Sequence, residues 1–177
     1  IYEKPEITVH YKGDLKPIDI SQVIKNNRNA LFTIENEAMD FVEHVHKVYR
    51  KKVDYFSVAY SGGKDSQVIL DIVSRVLAPE DYVIIFSDTG MEIPFTHDNV
   101  KKTISNYKKL YPHSKFLSAS PPYETEKFWA RFGPPSRIQR WCCTVCKTAP
   151  FANLIRSLPT SSSDNEVPDV LVFEGVR

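Results

Sequence analysis

The run YFSVAYSGGKDSQVILDIVSRVL, residues 55–77, constrains the fold more than any other part of the chain. Its first six residues read as a buried strand, and Val68, Ile69, Ile72, Val73, Val76 and Leu77 then recur at helical spacing before Pro79. Between them SGGKDS predicts a tight strand-to-helix turn. Gly62 and Gly63 allow positive φ and close approach of a ligand, so that amide groups and the helix N-terminus converge on an anion. Phosphate is the guest that suits this turn. Lys64 adds a cation, Asp65 completes the run, and the hydroxyls of Ser61 and Ser66 offer hydrogen bonds to phosphate oxygens or a metal-bound water. The earlier glycine of a Walker A loop is missing, so the pattern does not support a P-loop NTPase that cleaves a γ-phosphate.

The same grammar repeats downstream. YVIIFS at 82–87 predicts a second strand, leading into Asp88, Thr89 and Gly90 and a helix bearing Phe95, Val100, Ile104, Tyr107 and Tyr111. KFLSAS at 115–120 predicts a short strand, followed by a short helix near 123–131 and a loop, GPPSRIQRWCC. Pro150 belongs in the first turn of a further helix with Phe151, Leu154, Ile155 and Leu158, and DVLVFEG reads as a last buried strand after a PTSSSDNEVP surface loop. Apolar strands alternating with amphipathic helices require a sheet covered on both faces. The expected fold is α/β, doubly wound and Rossmann-like, with a mostly parallel sheet and ligands beyond the strands' carboxyl ends.

Residues 1–34 read as an N-terminal extension: Ile7, Val9 and Tyr11 alternate as in a strand, and Asn-rich and Pro-containing loop signals follow. A helix is expected over 37–50, with Glu35 and Glu37 near its positive end and His44 and His46 solvated on different sides, too far apart to share a metal. Residues 35–177 are then expected to form one domain around the anion-binding turn. The chain starts at Ile1 and stops at Arg177 straight after an apolar run, which reads as a fragment truncated at its C-terminus.

At 177 residues a packed core needs no disulfide staple. With 23 Lys plus Arg against 22 Asp plus Glu the formal charge is +1, so direct nucleic-acid binding is disfavoured and only a local site decides the partner. No run approaches a membrane span, and IYEKPEITVH lacks the form of a signal peptide, so a soluble cytoplasmic protein without membrane association is expected. The three cysteines, Cys142, Cys143 and Cys146, lie too close together for a secreted disulfide framework. Redox or metal chemistry fits them better. Arg137, Arg140, Lys147 and Arg177 form a second cationic group whose functional reading is anion clamping, since guanidinium forks pair with phosphate or sulfate. Trp141 either stacks on a ligand or anchors the loop, and Lys101, Lys102, Lys108 and Lys109 flank an apolar stripe as solvated charges.

SGGKDS resembles the pyrophosphate loop (PP-loop) of the adenine nucleotide alpha hydrolase superfamily. DTGMEIP at 88–94, the pattern Cys-Cys-x-x-x-Lys-x-x-Pro at 142–150 and a strand ending in Gly-x-Arg at 175–177 are similar to the phosphoadenosine phosphosulfate reductase family. The resemblance runs from 55 to 177. It implies that Ser61, Gly62, Gly63, Lys64, Asp65 and Ser66 hold phosphate, with Asp88, Thr89 and Gly90 bordering an adenine nucleotide: adenylyl sulfate, its 3′-phosphate, or ATP with Mg²⁺. It further implies a sulfonucleotide reductase in sulfate assimilation, served by a thioredoxin-like reductant. Some adenylyl sulfate reductases of that family hold a [4Fe-4S] cluster through a Cys-Cys pair and a later Cys-x-x-Cys. Here the third Cys follows only three residues on, and the fourth thiolate would come from elsewhere. The Glu-Cys-Gly-Leu-His segment that carries the reductases' attacking cysteine does not occur before Arg177, so the chain is expected to bind its nucleotide without reducing it. Two other readings stay open. One is an adenylyltransferase of the ATP sulfurylase small-subunit type, the other a nucleotide-binding module of a DNA sulfur-modification assembly.

Overall fold

The computed structural model describes residues 17–160 and 167–175. Two units part between Ile34 and Glu35, and each is taken by itself. In the first, α1 (Ile20–Asn26) starts at Asp19, whose carboxylate accepts the Gln22 N–H at 3.2 Å, and α2 (Arg28–Tyr49) begins at once, most of its length belonging to the second unit. The stretch that carried Asn-rich loop signals is therefore helical from Ile20. Asparagine costs a helix only about 0.7 kcal/mol, and Asn27 closes α1 by donating its side-chain amide to the Val23 carbonyl at 2.8 Å. Ile7, Val9 and Tyr11 lie outside the described residues.

In the second unit, β1 (Tyr55–Tyr60), β2 (Tyr82–Ser87), β3 (Lys115–Ala119) and β4 (Val170–Phe173) form one sheet, parallel throughout and ordered β3-β2-β1-β4. Register places Phe116, Ile84, Val58 and Phe173 in one row across it. Alternation divides the strands between two cores. Phe56, Val58, Tyr60, Ile84, Phe86 and Phe173 point to one face, where α3 (Lys64–Val76) brings Leu70 and Val73, α4 (Pro94–Leu110) brings Val100 and Tyr107, and α2 brings Val42. Val83, Ile85 and Ala119 point to the other, against Phe151, Leu154 and Ile155 of α6 (Ala149–Arg156). Helices thus cover both faces, as the apolar strands required. Among the described residues no helix is long and apolar enough to cross a membrane.

Several local expectations change. Glu35 and Glu37 lie inside α2 rather than at its start, and Glu35 pairs with Arg75 of α3. His46 is not solvated: its ring packs on Phe56 at 4.9 Å and its Nε2 lies 3.9 Å from Asp81, while His44 is exposed. Phe95 is 80% exposed and belongs to no core. The short helix is α5 (Thr125–Phe132). The segment after it is not loop up to Cys143, because the chain turns helical at Trp141 and runs as a π-helix over Cys143–Thr148 into α6. Pro150 has no N–H to give the carbonyl four residues back, and the wider turn just before it closes with Ala149 N–H on the Thr144 carbonyl.

Candidate functional site

The strand order reverses about β1. From β1 the chain moves outward through β2 to β3, then returns to β4 on the opposite side, which opens a crevice at the carboxyl ends of the strands. Two cavities occupy it and share Ala59, Ser87, Lys147 and Glu174. One, about 200 Å³, is lined by Ser61, Gly63, Asp65, Ser66 and Gly175. The other, about 410 Å³ and mostly apolar, is walled by Phe151, Val172, Thr148 and Cys143.

The SGGKDS turn is built as its glycines require. Gly62 has φ +75°, and a Cβ there would sit 3.0 Å from Val100 and 3.1 Å from Thr96 of α4. Asn99 of α4 donates to the Gly62 carbonyl at 2.8 Å. Gly63 caps α3, whose first turn faces the smaller cavity with Asp65 and Ser66. Both the amide and the hydroxyl of Ser61 donate to Ser66 Oγ at 3.2 Å, and Ser66 Oγ donates to the Gly63 carbonyl at 2.9 Å. These hydroxyls close the loop. Lys64 turns to Asp65 at 2.7 Å and does not line the cavity. The cation that does is Lys147, carried there by the π-helical segment.

Asp88, Thr89 and Gly90 make a hydrogen-bonded bend beyond β2. Gly90 has φ +72°, and its N–H donates to Asp88 Oδ1 at 3.0 Å. Thr89 donates from both its amide and its hydroxyl to Glu92, at 3.1 and 2.7 Å. Burial pushes the Glu92 carboxyl up, but these hydrogen bonds outweigh it and hold the group below the ordinary carboxylate range. With the folded value below the unfolded one, Glu92 stabilises this bend above the unfolded value, and the contribution fades as pH falls through the folded one. Asp88 and Gly90 line a separate cleft with Pro121 and Tyr123, so the bend stands beside the crevice rather than in it. Donor atoms of Asp88, Glu92 and His97 lie within 4.8 Å of one another, a grouping that the spacing of these residues did not reveal.

Arg137 and Arg140 are exposed and line none of these cavities, and Arg177 lies outside the described residues. Trp141 anchors its loop: its indole donates to the Gly133 carbonyl at 3.1 Å and its ring packs on Phe128 and Phe132. The three thiols have different surroundings. Cys143 is exposed in the wall of the larger cavity, Cys142 is half-buried, and Cys146 is fully buried. Burial, then the charges of Cys142 and Glu92, pushes the Cys146 thiol up. Alkylation of the native protein, followed by mass spectrometry, is expected to label Cys143 first, Cys142 more slowly and Cys146 only on unfolding. Early labelling of Cys146 would contradict this burial.

Residues 55–177 match the phosphoadenosine phosphosulfate reductase domain. The chain belongs to that family. The family is an enzymatic one that binds adenine nucleotide substrates. An uncharacterized protein of Methanocaldococcus jannaschii is 30% identical over 158 residues, which are 88% of this chain and 29% of that protein. The adenosine 5′-phosphosulfate reductase of Geobacillus kaustophilus is 29% identical over 126 residues, 70% of this chain and 51% of the enzyme. That of Halalkalibacterium halodurans is 25% identical over 115 residues, 65% of this chain and 47% of the enzyme. The chain thus spans about a third of the archaeal protein and about half of these reductases. In this phosphoadenosine phosphosulfate reductase domain Ser87, Phe151 and Glu174 line the crevice, and sequence reasoning did not single them out for it. Their one sequence signal is position, at or just past a strand end or in the first turn of the helix behind the cysteines.

Proposed function

We propose that this domain binds an adenine sulfonucleotide of the adenylyl sulfate class and presents its sulfur to a thiolate. The observation that carries the reading is the pair of joined cavities at the strand reversal, one floored by the SGGKDS turn and α3, the other apolar and large enough for a nucleoside. Amide groups and Lys147 suit the phosphate, and Ala59, Val172 and Phe151 suit a base. In the reduction a thiolate attacks the sulfur, a sulfur–sulfur bond forms, and AMP leaves with the electron pair of the sulfur–oxygen bond. Cys143 is the thiol in the wall of the larger cavity, which Lys147 also lines.

Titration calorimetry with adenylyl sulfate is expected to give saturable binding that AMP displaces. A folded chain that binds neither would refute the proposal. Sulfite and pyrophosphate release divide the rival chemistries. With a dithiol reductant, residues 1–177 alone are expected to release no sulfite from adenylyl sulfate, because no Glu-Cys-Gly-Leu-His segment occurs among them. Release abolished by Cys143→Ser would instead put the nucleophile in the cavity wall, and pyrophosphate release from ATP would favour the adenylyltransferase.

A further inference from the structure

Two charged residues, Lys147 and Glu174, line both cavities. A nucleoside 5′-phosphate runs base, ribose, phosphate in that order, so phosphate on the loop and base in the apolar cavity leave the ribose against the wall they share. Lys147 matches the phosphate. Glu174 matches the sugar: an ionised carboxylate only accepts hydrogen bonds, and ribose hydroxyls donate them. Its place is fixed by its neighbour. A Cβ on Gly175 would lie 3.1 Å from the Asp65 carbonyl oxygen and 3.1 Å from Ile69, so the end of β4 runs tight against the first turns of α3. Glu174 is exposed and makes no ion pair among the described residues.

From this juxtaposition we infer that Glu174 reads the ribose, so that the site takes an adenosine 5′-phosphate with free ribose hydroxyls and rejects one bearing a 3′-phosphate. The inference rests on the nucleotide reading above. A 3′-phosphate replaces a donor by a dianion at a carboxylate, and like charges so placed discriminate strongly between ligands.

The test is calorimetric titration of the wild-type chain, Glu174→Gln and Glu174→Ala with AMP and with adenosine 3′,5′-bisphosphate, folding being checked by circular dichroism. Wild type is expected to bind AMP at least about tenfold more tightly than the bisphosphate, a difference of about 1.4 kcal/mol. Glu174→Gln should narrow that ratio, chiefly by improving the bisphosphate. Loss of the 2′- and 3′-hydroxyls, probed with 2′,3′-dideoxyadenosine 5′-monophosphate, should weaken binding to wild type and have little effect on Glu174→Ala. Equal wild-type affinity for AMP and the bisphosphate would overturn the role of Glu174, as would a ratio unchanged in folded Glu174→Gln. Failure of wild type to bind either nucleotide would overturn the nucleotide reading itself, and that result is distinct because it appears before any variant is made.

Discussion

Gly62→Val is expected to destabilise the domain by about 2–5 kcal/mol and to abolish nucleotide binding wherever the protein still folds. A side chain at φ +75° costs about 1–2 kcal/mol, and forcing extra carbon into a packed contact about 1–3 more. The contact here is close: the first added atom would already meet Val100 at 3.0 Å and Thr96 at 3.1 Å. Against a typical total stability of about 5–15 kcal/mol this is a large fraction. Gly63→Ala is the control. Gly63 has φ −84°, and a Cβ there meets Ser61 Oγ at 3.5 Å, so the change should cost about 1 kcal/mol or less, mainly through a poorer helix cap. Urea unfolding of both variants measures the difference. Equal midpoints would show that the turn does not need a left-handed residue.

Removing the Lys147 ammonium has the larger consequence for binding. Lys147→Ala is expected to weaken AMP or adenylyl sulfate by about 10- to 150-fold, the equivalent of about 1.5–3 kcal/mol for a hydrogen bond to a charged group. Lys64→Ala should weaken it less, since Lys64 is paired with Asp65 and stands outside the cavity lining. Both side chains are exposed, so neither change should move the unfolding midpoint by more than about 0.5 kcal/mol. A greater loss from Lys64→Ala than from Lys147→Ala would mean that the bound loop reorganises and that Lys64, not Lys147, meets the phosphate.

The contrast between these lysines shows where sequence reasoning stopped. Strands, helices and the glycine turn were legible because a two-residue alternation and a helical repeat are written directly in Val58, Ile84, Leu70 and their neighbours. Side-chain direction was not. Lys64 lies inside the most informative motif yet turns to the adjacent carboxylate, whereas Lys147, one of four cations the sequence offered as anion clamps, lines the cavity from a π-helical stretch. That segment is helical because a π-turn accommodates the missing N–H of Pro150, a hydrogen-bond arrangement with no periodic signature. Residues 20–34 were obscured differently: their asparagines are weak breakers, and one of them caps a helix. Glu174 could not have been singled out from composition, for its importance depends on which strand β4 joins and how closely Gly175 lets it approach α3.

The hold of α4 on the loop also bears on how the domain meets its ligand. Asn99 grips the Gly62 carbonyl while Val100 and Thr96 fill the space beside Gly62, so the backbone amides are set in place when the chain folds. Little conformational entropy then remains to be lost on encounter, and nucleotide should associate in a single kinetic phase, without a slower step of loop ordering. Freeing that carbonyl by Asn99→Ala would shift this cost from folding to binding, and the amides of Gly63 and Lys64 would exchange their hydrogens with solvent sooner than those of the buried strand behind them.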